Sequence, residues 1–256
     1  MLSMTFRLFF LILTSSLIAS SAMGQDSSLL GLPALTSSIA ENGESTTYSL
    51  SLQILVLMTV LTVVPSIVLG MTAFTRIIIV LSILRQALGT QQTPPNQVLI
   101  AIALFITFYV MNPIFEVIYD TAVNPYLEGI LTPQVALTKA TSILKEFMVA
   151  NTRIDTMNMF AEMAGEGPFE DTQAIPLSIV LPSFITSELK TAFEIGFLIF
   201  LPFLVIDMVI SSILMSLGMM MLSPMLVALP FKLLLFVLVD GWSMTVGSLV
   251  STFAAG

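Results

Sequence analysis

The sequence predicts an all-α fold built from membrane-associated helical hairpins kinked at prolines. Three observations carry that expectation. Of the 256 residues, 56% are hydrophobic and only 9% charged, with a mean hydropathy of +1.01. Soluble domains carry about 25% charged residues, so this is membrane-class composition. The apolar residues are gathered into long runs, Ser49–Gly70, Val98–Val110, Phe193–Leu217 and Met225–Val250. Prolines then punctuate those runs, at Pro65, Pro113, Pro182, Pro202, Pro224 and Pro230. Each interior proline removes one helical hydrogen bond and bends the rod. In lipid the freed groups need partners within protein, so much of this apolar surface is expected to meet other polypeptide.

The chain divides by composition into five parts. Residues 1–24 resemble a cleavable signal, with Arg7, a short apolar core and small residues at Ala22 and Gly24. Cleavage after Gly24 would leave Gln25 as the new terminus. Residues 25–47 are polar and rich in Ser, Thr and Gly, as in a flexible extracytoplasmic leader. Residues 48–115 hold two apolar helical stretches flanking a turn with Arg76 and Arg85 and no acidic residue. Residues 116–190 are acidic, with four basic side chains against ten carboxylates. Residues 191–256 form an apolar hairpin around a methionine-rich turn. The positive-inside rule counts Lys and Arg beside membrane ends. It places the 71–97 turn in the cytoplasm and 116–190 on the outer side.

Within the acidic region Pro133–Ala150 reads as an amphipathic helix, with Val135, Leu137, Ile143, Leu144, Phe147 and Met148 on its apolar face. Phe147 and Phe160 are aromatic anchors. They suit packing inside the region's own domain, or an interface between copies.

Asp207, Lys232 and Asp240 lie inside the C-terminal apolar runs. A charge at mid-bilayer costs about 2.5–3.5 kcal/mol, so three facing lipid would cost roughly 7–10 kcal/mol. They must be paired, buried or wet. Asp240 lies eight residues after Lys232, about 12 Å along one helix and beyond direct reach. Counted from Met221, Asp207 is roughly 21 Å up one arm and Lys232 roughly 16 Å up the other. An Asp207–Lys232 pair is expected, within one hairpin or between copies. Glu188 and Glu194 lie too far up the arm for the same chain's Lys232 but suit a neighbour's in a staggered ring. Met219, Met220 and Met221 at the turn are flexible and polarizable, which suits a deformable seal.

Composition also excludes. The chain has no Cys and no His and a formal charge of −8. Cys nucleophiles, His-based triads and structural zinc are ruled out, no cofactor is expected, and nucleic acid is a poor partner. Asp207 and Asp240 lack the Gly-x-Gly-Asp setting of an intramembrane aspartyl protease. An ion-coupled secondary transporter is a better rival, though no internal repeat is evident.

Three blocks are similar to a known family. They are Phe74–Ser82 with Leu84–Gly89 and Thr93–Asn96; Pro182–Lys190 with Ala192–Phe197; and Leu229–Trp242. Together they resemble the FliP family of flagellar export-gate proteins, whose injectisome paralogues share much of the pattern. The resemblance implies a non-enzymatic pore subunit in a staggered ring or helical assembly of five copies. FliQ and FliR complete the core in that family, FlhA and FlhB belong to the surrounding apparatus, and unfolded flagellar polypeptides pass through. It also implies a methionine gasket at Met219–Met221 and contacts between copies at Phe147, Phe160, Glu188 and Lys232. The implied location is the bacterial inner membrane at the centre of the flagellar basal body, with much of the assembly on the periplasmic side.

Overall fold

α2, Phe74–Ala87, is the element around which the rest is packed. Ile77, Val80, Leu81, Leu84 and Ala87 recur at helical spacing, and each is at most 1% exposed. A computed structural model describes residues 48–90, 93–167, 169, 172–219 and 222–254, and these are all helix, turn or irregular backbone. The signal and leader expected over 1–47, including Gly24 and Gln25, lie outside the described residues, as do Met220 and Met221. Residues 1–60 and 61–256 form separate units. The division falls within α1, Tyr48–Gly70, which continues unbroken through Pro65. In its second half Leu61, Val64, Ile67 and Val68 are exposed. A 76° bend at 71–73 leads into α2.

α2 ends at Gly89, whose φ of +78° only glycine adopts freely. After the turn, α3 (Asn96–Ile118) runs through Pro113 and joins a π-turn, Tyr119–Val123, and the short α4, Asn124–Leu127. The result is a 32-residue helical rod. The apolar run Val98–Val110 is by itself shorter than the roughly 20 residues that span a bilayer, and the helix extends past both its ends. The proline costs one backbone bond without ending the helix, and beside it the Asn112 amide donates to Glu116 Oε1 at 2.9 Å.

α5 spans Pro133–Ala150 and α6 spans Ile154–Ala164, closed by Gly165 in the left-handed region. The α5 boundaries match the sequence expectation, but its apolar face is only partly used. Phe147 and Met148 are buried, whereas Val135 and Leu137 are exposed.

α7 is one 40-residue helix, Leu177–Ser216, about 60 Å long. It passes through Pro182 and Pro202, so the hairpin's first arm starts well before residue 191. The compositional boundaries at 115/116 and 190/191 fall inside α3 and α7. α7 lies against α2 so closely that a Cβ on Gly196 would sit 2.3 Å from Ile83 Cδ1. Val180, Phe184 and Ala192 carry the contact upward into the main core with Leu99, Ala103, Met148 and Leu249. Burying each Leu- or Phe-sized side chain contributes about 1.5–3 kcal/mol. A smaller cluster of Leu84, Leu88, Phe203 and Phe236 closes the other end.

The second arm breaks in two. α8, Pro224–Leu238, meets α9, Gly241–Ala254, at 63°. Asp240 sits at the break with φ 49°. A Cβ on Gly241 would fall 2.2 Å from the Phe236 ring, which also packs edge-on to Trp242. Lys232 and Asp240 therefore do not share a straight helix. Among the described residues, Asn96–Leu127 and Leu177–Ser216 are long and apolar enough to cross a membrane, and the two bent pairs bring the total to four if each counts as one span.

Candidate functional site

The C-terminal hairpin is fastened at two levels, each by a cation in an apolar setting. At the lower level, Lys232 on α8 is 3% exposed. Its Nζ donates to Asp207 Oδ2 on α7 at 2.6 Å and to the Ala87 carbonyl at 3.0 Å. That carbonyl belongs to the C-terminal end of α2, where the helix dipole is negative. One ammonium thus ties three helices. The helix ends explain the match in height. α7 stops at Ser216 and α8 starts at Pro224, so Asp207 stands about 13.5 Å above its end and Lys232 about 12 Å above its own. The Asp207 side chain is 39% exposed, so the pair is dry at one end and open at the other.

At the upper level, Glu188 of α7 is fully buried and grips Arg76 of α2 in a two-pronged pair. Arg76 Nε donates to Oε2 at 2.9 Å, and Nη2 meets Oε1. Nη1 donates to Thr252 Oγ1 at 3.0 Å, and the guanidinium lies 3.8 Å from the Phe253 ring centroid. Arg76 therefore also anchors the end of α9. A buried carboxylate is tolerable only with such complete satisfaction. Among the described residues no buried side-chain nitrogen or oxygen lacks a partner.

These contacts revise several sequence expectations. Glu188 does not wait for a neighbour's Lys232, because its own chain's Arg76 occupies both oxygens. Glu194 pairs with Arg153 at the surface, where Arg153 also reaches Thr191 Oγ1 at 3.4 Å. The Arg153 backbone N–H donates to Ser187 Oγ at 3.0 Å, fixing the start of α6 on α7. Asp240 is exposed and has no ion-pair partner among the described residues. Phe147 lies in the chain's own core, edge-on to Phe184 at 6.1 Å and stacked on Phe253 at 6.4 Å. Phe160 packs against the same core. Both rings thus pack within their own chain, and Phe147 also lines an open groove between α3, α5 and α9. Arg76 is 4% exposed and does not act as a headgroup-facing charge, which leaves Arg85 alone at the 71–97 turn.

Met219 is set by the end of α7. Gly218, at φ +71°, donates its N–H to the Met215 carbonyl at 3.1 Å, and the Met219 N–H reaches Leu214 at 3.0 Å. This is the glycine-terminated helix end expected from a Schellman motif. The Met219 side chain is 42% exposed.

Sequence reasoning missed Arg76, Thr252 and the Ala87 carbonyl. A signal for the first was present. Arg76 adjoins Ile77 on the apolar stripe of α2 and stands four residues before Val80, so helical periodicity places it inward.

The fold and its charges define an all-α protein with membrane-spanning apolar helices, locked internally by ion pairs. The FliP family model matches residues 57–249. Over 223 residues the chain is 64% identical to the flagellar biosynthetic protein FliP of Cereibacter sphaeroides, covering 87% of this chain and 73% of that relative. It is 50% identical over 218 residues to the FliP of Bacillus subtilis (strain 168), covering 85% and 96%. It is 48% identical over 222 residues to that of Pectobacterium carotovorum subsp. carotovorum, covering 87% and 86%. The chain belongs to the FliP family.

Proposed function

We propose that this protein is a pore-forming subunit of the flagellar protein export gate in the bacterial inner membrane, passing unfolded flagellar polypeptides outward. Family membership supports the flagellar role, and the apolar helices support the membrane setting. The observation that carries the pore reading is the α7–α8 hairpin. It holds a methionine turn at its tip, and the Lys232–Asp207–Ala87 clamp fixes the two arms at equal height above that tip. Methionines on a rigid mount can part for a passing chain and close again, because their side chains have three rotatable bonds.

Several copies of the chain, five in this reading, surround the path, with FliQ and FliR completing the core and FlhA and FlhB adjoining it. Its chemistry is steric and electrostatic rather than catalytic. The Met219→Ala, Met220→Ala, Met221→Ala triple variant tests the seal. Cells producing it are expected to become permeable to small ions while the complex is recovered at normal size. Unchanged ion permeability in an intact complex would sink the seal. A two-fold dimer or monomer by native mass spectrometry would favour the transporter reading instead.

A further inference from the structure

We infer that the break between α8 and α9 is the hinge of the gate: α8 swings about Asp240 to carry the methionine turn, and the Phe236 ring seated against Gly241 holds it closed. This rests on the export-gate reading for the seal and adds what moves it.

The two arms of the hairpin are held in different ways. α7 runs unbroken through Pro182 and Pro202, with buried residues from Ile179 to Leu214. α8 buries only Ala228, Lys232 and Phe236, a single line at i, i+4 and i+8. Its other faces are open within the chain, with Leu226, Val237 and Leu238 all exposed. One methyl group, one ion pair and one ring thus fasten α8 to its own chain. Beyond the break α9 is fixed independently, because Arg76 donates to Thr252 and lies over the Phe253 ring.

No proline stands at the break, and Pro230 lies inside α8 without ending it. The 63° bend is made instead by two adjacent residues. Asp240 has φ 49°, and among the described residues no other non-glycine takes a positive φ. A Cβ crowds the backbone in that region, which glycine alone enters freely. Asp240 makes no ion pair among the described residues, so the break uses its backbone rather than its charge. Gly241 leaves the space that the Phe236 ring fills, since a Cβ there would lie 2.2 Å from it. Phe203 and Trp242 flank the same ring, with centroids 6.4 Å and 5.5 Å away.

A kink that no proline forces is held by packing, and packing can be exchanged. Once the ring leaves its seat, Asp240 is free to return to the right-handed region and the bend relaxes. The arm from Asp240 to Pro224 is about 24 Å long, so a relaxation of about 10° moves its methionine end by roughly 4 Å. The tie that must part is open to water on its Asp207 side.

Two substitutions at one position test the hinge. Asp240→Gly and Asp240→Ala both remove the carboxylate, but only glycine enters the left-handed region without strain. In cells carrying the full export complex, Asp240→Gly is expected to stay tight to small ions. Asp240→Ala is expected to lose the ion seal, with complexes of normal size recovered from both. Leakage by both would assign the effect to the carboxylate and overturn the hinge, and tightness of both would overturn it too. Gly241→Ala, which drives the ring from its seat, should leak like Asp240→Ala.

A covalent lock tests the motion and decides the matter if Asp240→Ala fails to assemble. The chain has no cysteine, so Phe203→Cys with Phe236→Cys supplies its only thiols. Bridging them with a short disulfide-forming cross-linker pins α8 to α7. Export should then be lost, and a reductant should restore it. Export at the unbridged rate after complete bridging would overturn the swing. The Met219→Ala, Met220→Ala, Met221→Ala triple variant separates the two readings. A leaking triple variant beside two tight Asp240 variants defeats the hinge alone, while a tight triple variant defeats the seal on which the hinge rests.

Discussion

The two clamps on the hairpin are built from the same kind of pair and differ in what surrounds them. At the upper clamp both partners are dry, and Arg76 spends three nitrogens on Glu188 and Thr252 beneath the Phe253 ring. At the lower clamp Lys232 is dry, but Asp207 is more than a third exposed. Removing one partner of a fully buried pair strands a charge that water cannot reach. Removing Lys232 from the half-open pair leaves Asp207, a charge that water can partly recover. The upper clamp is therefore the dry joint, and the lower one, nearer the methionine turn, is open to water on its Asp207 side.

Breaking the upper clamp should have the largest effect. Arg76→Ala or Glu188→Ala is expected to cost about 3–5 kcal/mol, because the surviving charge is buried alone. The protein should then be lost from membranes or digested rapidly in a protease-resistance assay. Replacing both, as Arg76→Met with Glu188→Leu, should recover much of that loss, since apolar side chains of similar volume often match a buried pair. A double variant as unstable as either single one would show that the bonds to Thr252 matter more than the pair.

The lower clamp should give a smaller loss of stability and a larger loss of export. Lys232→Ala strips the donor from both Asp207 and the Ala87 carbonyl, for about 1–3 kcal/mol. Secretion assays should show strong loss while some protein remains membrane-bound. The charge swap Lys232→Asp with Asp207→Lys sharpens the comparison. Rescue should be partial, because a carboxylate at 232 would face the negative end of α2 where the ammonium now donates. Full rescue would mean that the bond to Ala87 is dispensable.

The smallest effect belongs to Arg153–Glu194, a pair with side chains 37% and 51% exposed. Arg153→Ala should change stability by no more than about 1 kcal/mol, and high salt should erase the difference. A larger, salt-insensitive loss would show that the Arg153 segment is held more firmly than its exposure indicates.

Much of this was legible in order of residues alone. The all-α class, the α5 helix and the hairpin with its two inward charges follow from composition and period. So did the meeting of Asp207 with Lys232, because two arms leaving one turn bring residues of equal height together. Two features were misread for physical reasons. Proline was given too much power over α3 and α7, although an apolar helix tolerates one missing bond when its neighbours stay satisfied. Arg76 was counted as a loop charge, although its place beside Ile77 set it on the inward stripe. Phe147 packs against Phe184 and Phe253 of its own chain, one of the two placements its sequence position allowed.

By itself, then, the sequence determined local periodicity, the membrane character and which charges could not be left facing lipid. Which acid each cation takes was decided only by tertiary structure. Arg76 and Glu188 stand 112 positions apart, and Lys232 and the Ala87 carbonyl 145 apart. No helical period reaches across such gaps. The packing of α2 between α3 and α7 sets those distances, and in a dry interior a cation is held by whichever carboxylate or carbonyl that packing brings within reach.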